Sequence, residues 1–279
     1  GVDALRDWRV NGTLAIDSLT VSGARIEGLA LPISGQDGQY LADPVRAGIY
    51  GGTLDAALAL DLRPDIPEWA ARGQLADVRT GPLLQALLGR QLLVGLGRAD
   101  ADLRARGLTA EALLESLSGE VSVAVVDGAL LGVNIARILR EAEARLRDRD
   151  LVAAAAPRQT DFSDLTGSAR LDAGIASIDT LNARSPLLEL EGSGQADLIA
   201  GTIELGLGLR VLQRLERADG SPMTDLRGLT VPMRVSGPIV EPVVQLDLGR
   251  LLSEQLQQEL EDELRERATE ELQRFLRRL

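Results

Sequence analysis

The chain has 279 residues, of which 45% are hydrophobic, and its 42 acidic against 30 basic side chains give a formal charge of -12. That sign of charge repels nucleic acid and anionic bilayer surfaces, so no nucleic-acid partner is expected. Histidine and cysteine are absent and every basic residue is arginine, which excludes disulfides and thiolate metal sites and removes the groups most acid–base and nucleophilic catalysis requires; no metal, no cofactor and no enzymatic activity are expected.

Residues 9–33 read as a hairpin meander of short strands. Val10, Leu14 and Ile16 fall in one ribbon, Leu19 and Val21 in the next, and Ile26 to Ile33 in a third, punctuated by Gly12, Gly23, Gly28 and Pro32. From Ile49 to Leu62 the pattern is cleaner: after Gly51 and Gly52 at a turn or bulge, Leu54, Ala56, Leu58, Leu60 and Leu62 alternate with Thr53, Asp55, Ala57, Ala59 and Asp61. A short helix is predicted over Pro82–Leu88, where Pro82 suits the first turn and Gly89 the stop. Gly95 to Arg106 reads as a strand with Leu96, Arg98, Asp100, Asp102 and Arg104 on one side and the small set Gly97, Ala99, Ala101, Leu103 and Ala105 on the other. A second helix is predicted over 110–118, with Thr109 as N-cap, Glu111 in the first turn and Gly119 as the stop.

Val121, Val123 and Val125 mark the next strand, and Asp127-Gly128 signals a turn. The longer helix predicted over 134–147 carries the stripe Ile135, Ile138, Leu139, Ala142 and Leu146, with Glu141, Glu143, Arg145 and Arg147 facing away. Asp148 to Gln159 has no period and is expected to be a mobile connection. Strands resume from Thr160 to Val235, including Leu188 and Leu190, then Ile203, Leu205, Leu207, Leu209 and Val211 at a spacing of two, with turns at Ala173-Gly174 and Asp219-Gly220 and a break at Ser185-Pro186. The last thirty residues differ in kind: the stripe from Leu252 to Leu279 and the pairs Glu261 with Arg265, Glu263 with Arg267 and Glu270 with Arg274 predict an amphipathic helix over 250–279. The runs Leu92–Leu96 and Leu151–Ala156 fall far short of the roughly 18 residues needed to span a bilayer, so any membrane anchor or export signal is expected outside this chain.

The candidate sites for chemistry have plainer structural readings. Asp161 and Asp164 flank Phe162 and Ser163 as a conceivable carboxylate pair, but a turn ahead of a strand at Leu165 accounts for them more simply. Asp100 and Asp102 share a strand face with Arg98 and Arg104 and predict a solvated charge ladder. Gly192-Ser193-Gly194, Gly206 and Gly208 lack the following helix of a phosphate cradle. The alternating faces are the larger feature, and with only two each of Phe, Trp and Tyr they are almost wholly aliphatic. An antiparallel sheet ordinarily hides such a face as core. The predicted helices are few relative to the strands, and a curled sheet left partly uncovered would hold acyl chains at about 0.8 kcal/mol per buried methylene.

Four stretches carry a family resemblance: AGIYGGTL (Ala47 to Leu54), SLSGEVSVAVVDGALLGVNIARILR (Ser116 to Arg140), TDFSDLTGSARLDAGIASIDTLNARSPLLELEGSGQADL (Thr160 to Leu198) and GLTVPMRVSGPIVEPVVQLDL (Gly228 to Leu248). In order and spacing they resemble the C-terminal region of AsmA family proteins, related to bridge-like lipid-transfer proteins. The resemblance implies a bacterial envelope protein in the periplasm, held in the inner membrane by a helix outside this chain and implicated in moving phospholipid toward the outer membrane. It lacks catalytic residues to carry over. The expected fold is mainly β with interspersed helices: an elongated, curled antiparallel sheet over residues 1–249 forming an apolar groove, then the C-terminal amphipathic helix. Residues expected to line the groove are Leu54, Leu58, Leu60, Val121, Val123, Val125, Leu188, Leu190, Leu205, Leu207, Leu209, Val231, Met233 and Val235. Phospholipid acyl chains are the expected partner, with envelope proteins as possible further ones. The alternative is a structural module that affects outer-membrane assembly through protein contacts, its sheet fully packed.

Overall fold

The computed structural model describes residues 6–146, 157–213 and 230–247. The connection expected after Asp148, the Asp219-Gly220 turn and the helix expected over 250–279 lie outside the described residues. Within them the chain forms β1 (Val10–Val21), β2 (Ala24–Gln36), β3 (Gln39–Ile49), β4 (Gly52–Asp61), β5 (Glu68–Arg79), α1 (Thr80–Leu88), β6 (Leu93–Arg106), α2 (Ala110–Glu115), β7 (Ser118–Leu131) and α3 (Ile135–Leu146). Then follow β8 (Gln159–Asp172), β9 (Ile175–Arg184), β10 (Leu188–Asp197), β11 (Thr202–Val211), β12 (Thr230–Pro238) and β13 (Val243–Leu246). All thirteen strands belong to one sheet whose spatial order is the sequence order, antiparallel throughout, and β1 and β13 do not pair. The expected antiparallel, mainly β architecture is therefore present as a single open meander.

The turns explain the simplicity of this order. Ser22-Gly23, Asp37-Gly38, Tyr50-Gly51 and Ala173-Gly174 each hold two consecutive residues at positive φ, between 46° and 87°. This is the two-residue hairpin whose twist matches that of its flanking strands, and glycine suits its second position because it has no Cβ to clash. A cis Asp43-Pro44 bond lies where the register of β3 against β4 shifts.

Several local expectations are corrected. Residues 10–21 form one strand and not two, because β1 pairs with β2 nearly without interruption from Val10 opposite Gly35 to Val21 opposite Ala24. Asp127-Gly128 is no turn: Asp127 at φ 49° marks a bulge where β7 slips against β6 between Val94 and Leu96, while β7 continues in register with β8. Asp161 and Asp164 lie inside β8, opposite Ala129 and Val126, with Asp161 accepting from Gln159 Nε2 at 2.9 Å and Asp164 from Ser163 Oγ at 2.9 Å. α1 starts two residues earlier than predicted, and α2 stops at Glu115 because β7 already begins at Ser118.

Register sorts the side chains cleanly. On one face, directly opposed residues form ion pairs: Arg46 with Asp55 at 3.2 Å, Arg72 with Asp102 at 2.7 Å, Glu68 with Arg106 at 3.1 Å and Arg184 with Glu189 at 3.0 Å. These exposed cross-strand pairs specify register more than they stabilise. The other face is aliphatic. One row of it crosses nine strands from β4 to β12 without a polar side chain: Leu54, Leu75, Ala99, Val123, Gly167, Leu181, Gly192, Leu207 and Met233.

Candidate apolar groove

All fourteen residues expected to line a groove fall on this aliphatic face, but in two different environments. Leu54, Leu58 and Leu60 on β4 and Val121 and Val123 on β7 are half-buried or exposed, with Leu58 and Val123 each at 38%. Val125, one pleat further along β7, is buried. Among the described residues no helix packs over the face here, and its middle row is small: Ala56, Gly73, Ala101, Val121 and Ala169 stand opposite one another across β4 to β8. Small residues lower the floor of the sheet and leave room above it.

On the C-terminal strands the face is covered. Leu188, Leu205, Leu207, Leu209, Val231, Met233 and Val235 join Val211 with Ile135 and Leu139 of α3 in one buried cluster, and Leu190 packs against it half-buried. Leu209 is 0% and Leu139 1% exposed. α3 is seated by its first turn. Asn134 Oδ1 accepts from the Arg137 amide at 2.8 Å as an N-cap, and its Nδ2 donates to the Pro157 carbonyl at 2.7 Å. Thr160 Oγ1, at the start of β8, accepts from the Ile135 amide at 3.0 Å and donates to the Val133 carbonyl at 2.8 Å. One orphan donor of the helix N-terminus is thereby satisfied by its own N-cap, Asn134, and another by Thr160 of the strand that follows, which fixes where the stripe of α3 lands.

Among the described residues the covering is incomplete. Beside α3 lies a cavity of about 680 Å³ lined chiefly by apolar side chains, among them Leu190, Leu205, Leu207, Val235, Leu181 and Val244, with Arg90, Arg158, Arg184, Asp161 and Glu241 also on its wall. Across it, Arg90 in the α1–β6 loop donates to the Val240 carbonyl in the β12–β13 turn at 3.1 Å and stands 3.7 Å from Glu241. The sheet curls far enough for segments 150 residues apart to touch without closing into a barrel. A wider cleft of about 1260 Å³ opens over β1 to β8, where Val10, Tyr40, Leu60, Trp69 and Ala105 meet Arg9, Arg104 and Arg106. The polar tips of its aromatics are engaged, Trp69 Nε1 donating to the Gly107 carbonyl at 2.9 Å and the Tyr40 hydroxyl to that of Trp8 at 3.1 Å.

Two carboxyls are shifted by their ion pairs, one at the end of β4 and one on the polar face of β9. Side-chain hydrogen bonds from Arg63 hold the Asp61 carboxyl well below its ordinary value, and the hydrogen bonds of Arg170 lower that of Asp179. Among the described residues no group of three or more acidic side chains converges to hold a metal ion, and no described helix is long and apolar enough to cross a membrane. Sequence reasoning missed Ile135 and Leu139 as part of this surface, although their helical stripe was visible, and missed the arginines at its mouth, which carry no local signal.

The described residues thus form an open, single-sheet meander with one aliphatic and one charged face. A sequence profile of the AsmA family matches residues 3–181, well over half of the chain, and the chain belongs to that family. It is similar to "Protein AsmA" of Escherichia coli (strain K12), at 22% identity over 235 residues that make up 84% of this chain and 38% of that protein. The chain thus spans less than half the length of that curated relative. No solved structure matches. Family membership supports an envelope-associated role.

Proposed function

We propose that this chain is a non-enzymatic lipid-binding segment of a periplasmic protein, anchored in the bacterial inner membrane by a part of the molecule outside this chain, and that it takes part in passing phospholipid toward the outer membrane. The observation that carries this reading is the unbroken aliphatic row from Leu54 to Met233, half-buried on β4, exposed at Val123 on β7 and opening into an apolar cavity beside α3. Acyl chains on such a surface gain burial at about 0.8 kcal/mol per methylene without directional bonds. Binding of that kind favours sliding over fixed recognition. The matching charged face, with its paired arginines and carboxylates, keeps the opposite side in water.

The test is extraction and mass spectrometry of lipid from the purified chain, followed by transfer of labelled phospholipid between vesicle populations. Reproducible co-purifying phospholipid and accelerated transfer are expected. Lipid-free protein that accelerates nothing would favour the second reading, a structural module acting through protein contacts, which the buried cluster of α3 on β11 and β12 supports.

A further inference from the structure

Resting on the lipid-binding reading, we infer that the cavity beside α3 is a seat for one alkyl chain bearing an anionic head, and that Arg158 holds the head. Size sets the number of chains. If a methylene takes up on the order of the 30 Å³ of a liquid water, the cavity of about 680 Å³ holds one chain of some twenty carbons and has no room for two of sixteen. The second chain of a diacyl lipid would have to lie outside, over the exposed rows of β4 and β7.

The mouth selects the head. Three arginines reach the cavity wall, and two are already engaged: Arg90 with the Val240 carbonyl and Glu241, and Arg184 with Glu189. Arg158 has no hydrogen-bond or ion-pair partner for its guanidinium among the described residues. Its backbone is nevertheless fixed, because its carbonyl accepts from the Gly132 amide at 2.6 Å. The carboxylate nearest in sequence, Asp161, accepts from Gln159. An exposed arginine, anchored at its main chain on the wall of an apolar cavity, offers its guanidinium to a carboxylate or phosphate oxygen tethered to an aliphatic tail. The ligand class is a single-chain anionic amphiphile, a fatty acid or a lysophospholipid.

Displacement of the fluorescent fatty acid cis-parinaric acid from the full chain tests this. Competing saturated fatty acids should tighten about fourfold per added methylene and then level off near twenty carbons. Palmitoyl lysophosphatidate should compete with hexadecanoate, and dipalmitoyl phosphatidate should compete far more weakly. Arg158→Ala should weaken both anions about tenfold and leave octadecanol unchanged, and Leu190→Trp, which fills the cavity, should abolish binding in a protein whose circular dichroism is intact. Should Leu190→Trp not fold, Arg158→Ala and the chain-length series decide alone. Equal competition by diacyl lipid, or binding indifferent to Arg158→Ala, overturns the single-chain seat and leaves lipid binding in place. Failure of every amphiphile to bind overturns both.

Discussion

Arg90 and Val240, 150 residues apart, are joined by a hydrogen bond of 3.1 Å across the mouth of the apolar cavity. The side chains of Arg90 and its ionic partner Glu241 are 54% and 80% exposed. An exposed tie of this kind contributes less than about 1 kcal/mol, so it opens easily. Arg90→Ala should leave the urea midpoint nearly unchanged while amide hydrogen exchange accelerates in residues 239–242. A global loss of stability would show instead that the tie holds the curl of the sheet.

The two environments of the aliphatic face should separate under truncation. Leu209, fully buried beneath α3, should cost about 2–5 kcal/mol on substitution by alanine, through lost transfer energy and the cavity left behind. Leu58→Ala on the exposed rows should stay within about 1 kcal/mol. Urea denaturation of the two variants gives the comparison, and equal costs would mean that the β4 face is covered as well.

Thr160→Val keeps the shape of the side chain and removes both of its hydrogen bonds, to the Ile135 amide and the Val133 carbonyl. A cost of about 1–3 kcal/mol is expected for the groups left unpaired. Loosening should be local, seen as faster exchange of the Leu139 amide. Unchanged protection there would show that side-chain packing alone seats α3.

Arg170 grips both oxygens of Asp179, at 2.9 and 2.8 Å, and lowers its carboxyl. A carboxyl lowered by folding contributes stability above its unfolded value, about pH 3.9, and loses it as pH falls further. Asp179→Asn should therefore be less stable than the parent at neutral pH, by a small amount at so exposed a site, and the gap should shrink toward pH 2. A gap that stays constant or widens in acid would contradict the pairing.

Gly119 has φ +133°, and a Cβ there would drive into the Asp102 carbonyl oxygen of the neighbouring strand, whereas one at Gly206 meets nothing within 4 Å. Gly119→Ala should cost more than about 2 kcal/mol and Gly206→Ala less than about 1. Thermal melts of the pair decide whether β6 and β7 can part to admit a methyl group.

Much of the strand pattern was legible because the side-chain period of two is local, and so were the turns at Gly51 and Gly174, where an X-Gly pair breaks that period. The charge ladder was visible from Arg98 to Arg104, although the partners, Asp77 for Arg98 and Arg72 for Asp102, come from the adjoining strand. Asp127-Gly128 and Asp161 misled because polar residues signal a turn unless neighbouring strands hold the chain extended: β7 is paired along most of its length by β6 and β8, and Asp161 is held opposite Ala129 of β7. The stripe Ile135, Ile138, Leu139 announced a helix with an apolar side, yet its resting place depends on Thr160, twenty-five residues away from Ile135. The curl that brings Arg90 to Val240 is the sum of many small strand-to-strand rotations, which no window of sequence contains.

Because each strand bonds only to its predecessor and successor in the chain, the architecture is modular in the manner of a ribbon cable. Hairpins could be inserted or deleted two strands at a time without redrawing any other pairing, so reach becomes a quantity that evolution adjusts by simple duplication. Such a molecule also tolerates damage unevenly: a break in the middle strands would leave two pieces, each with its own neighbours intact.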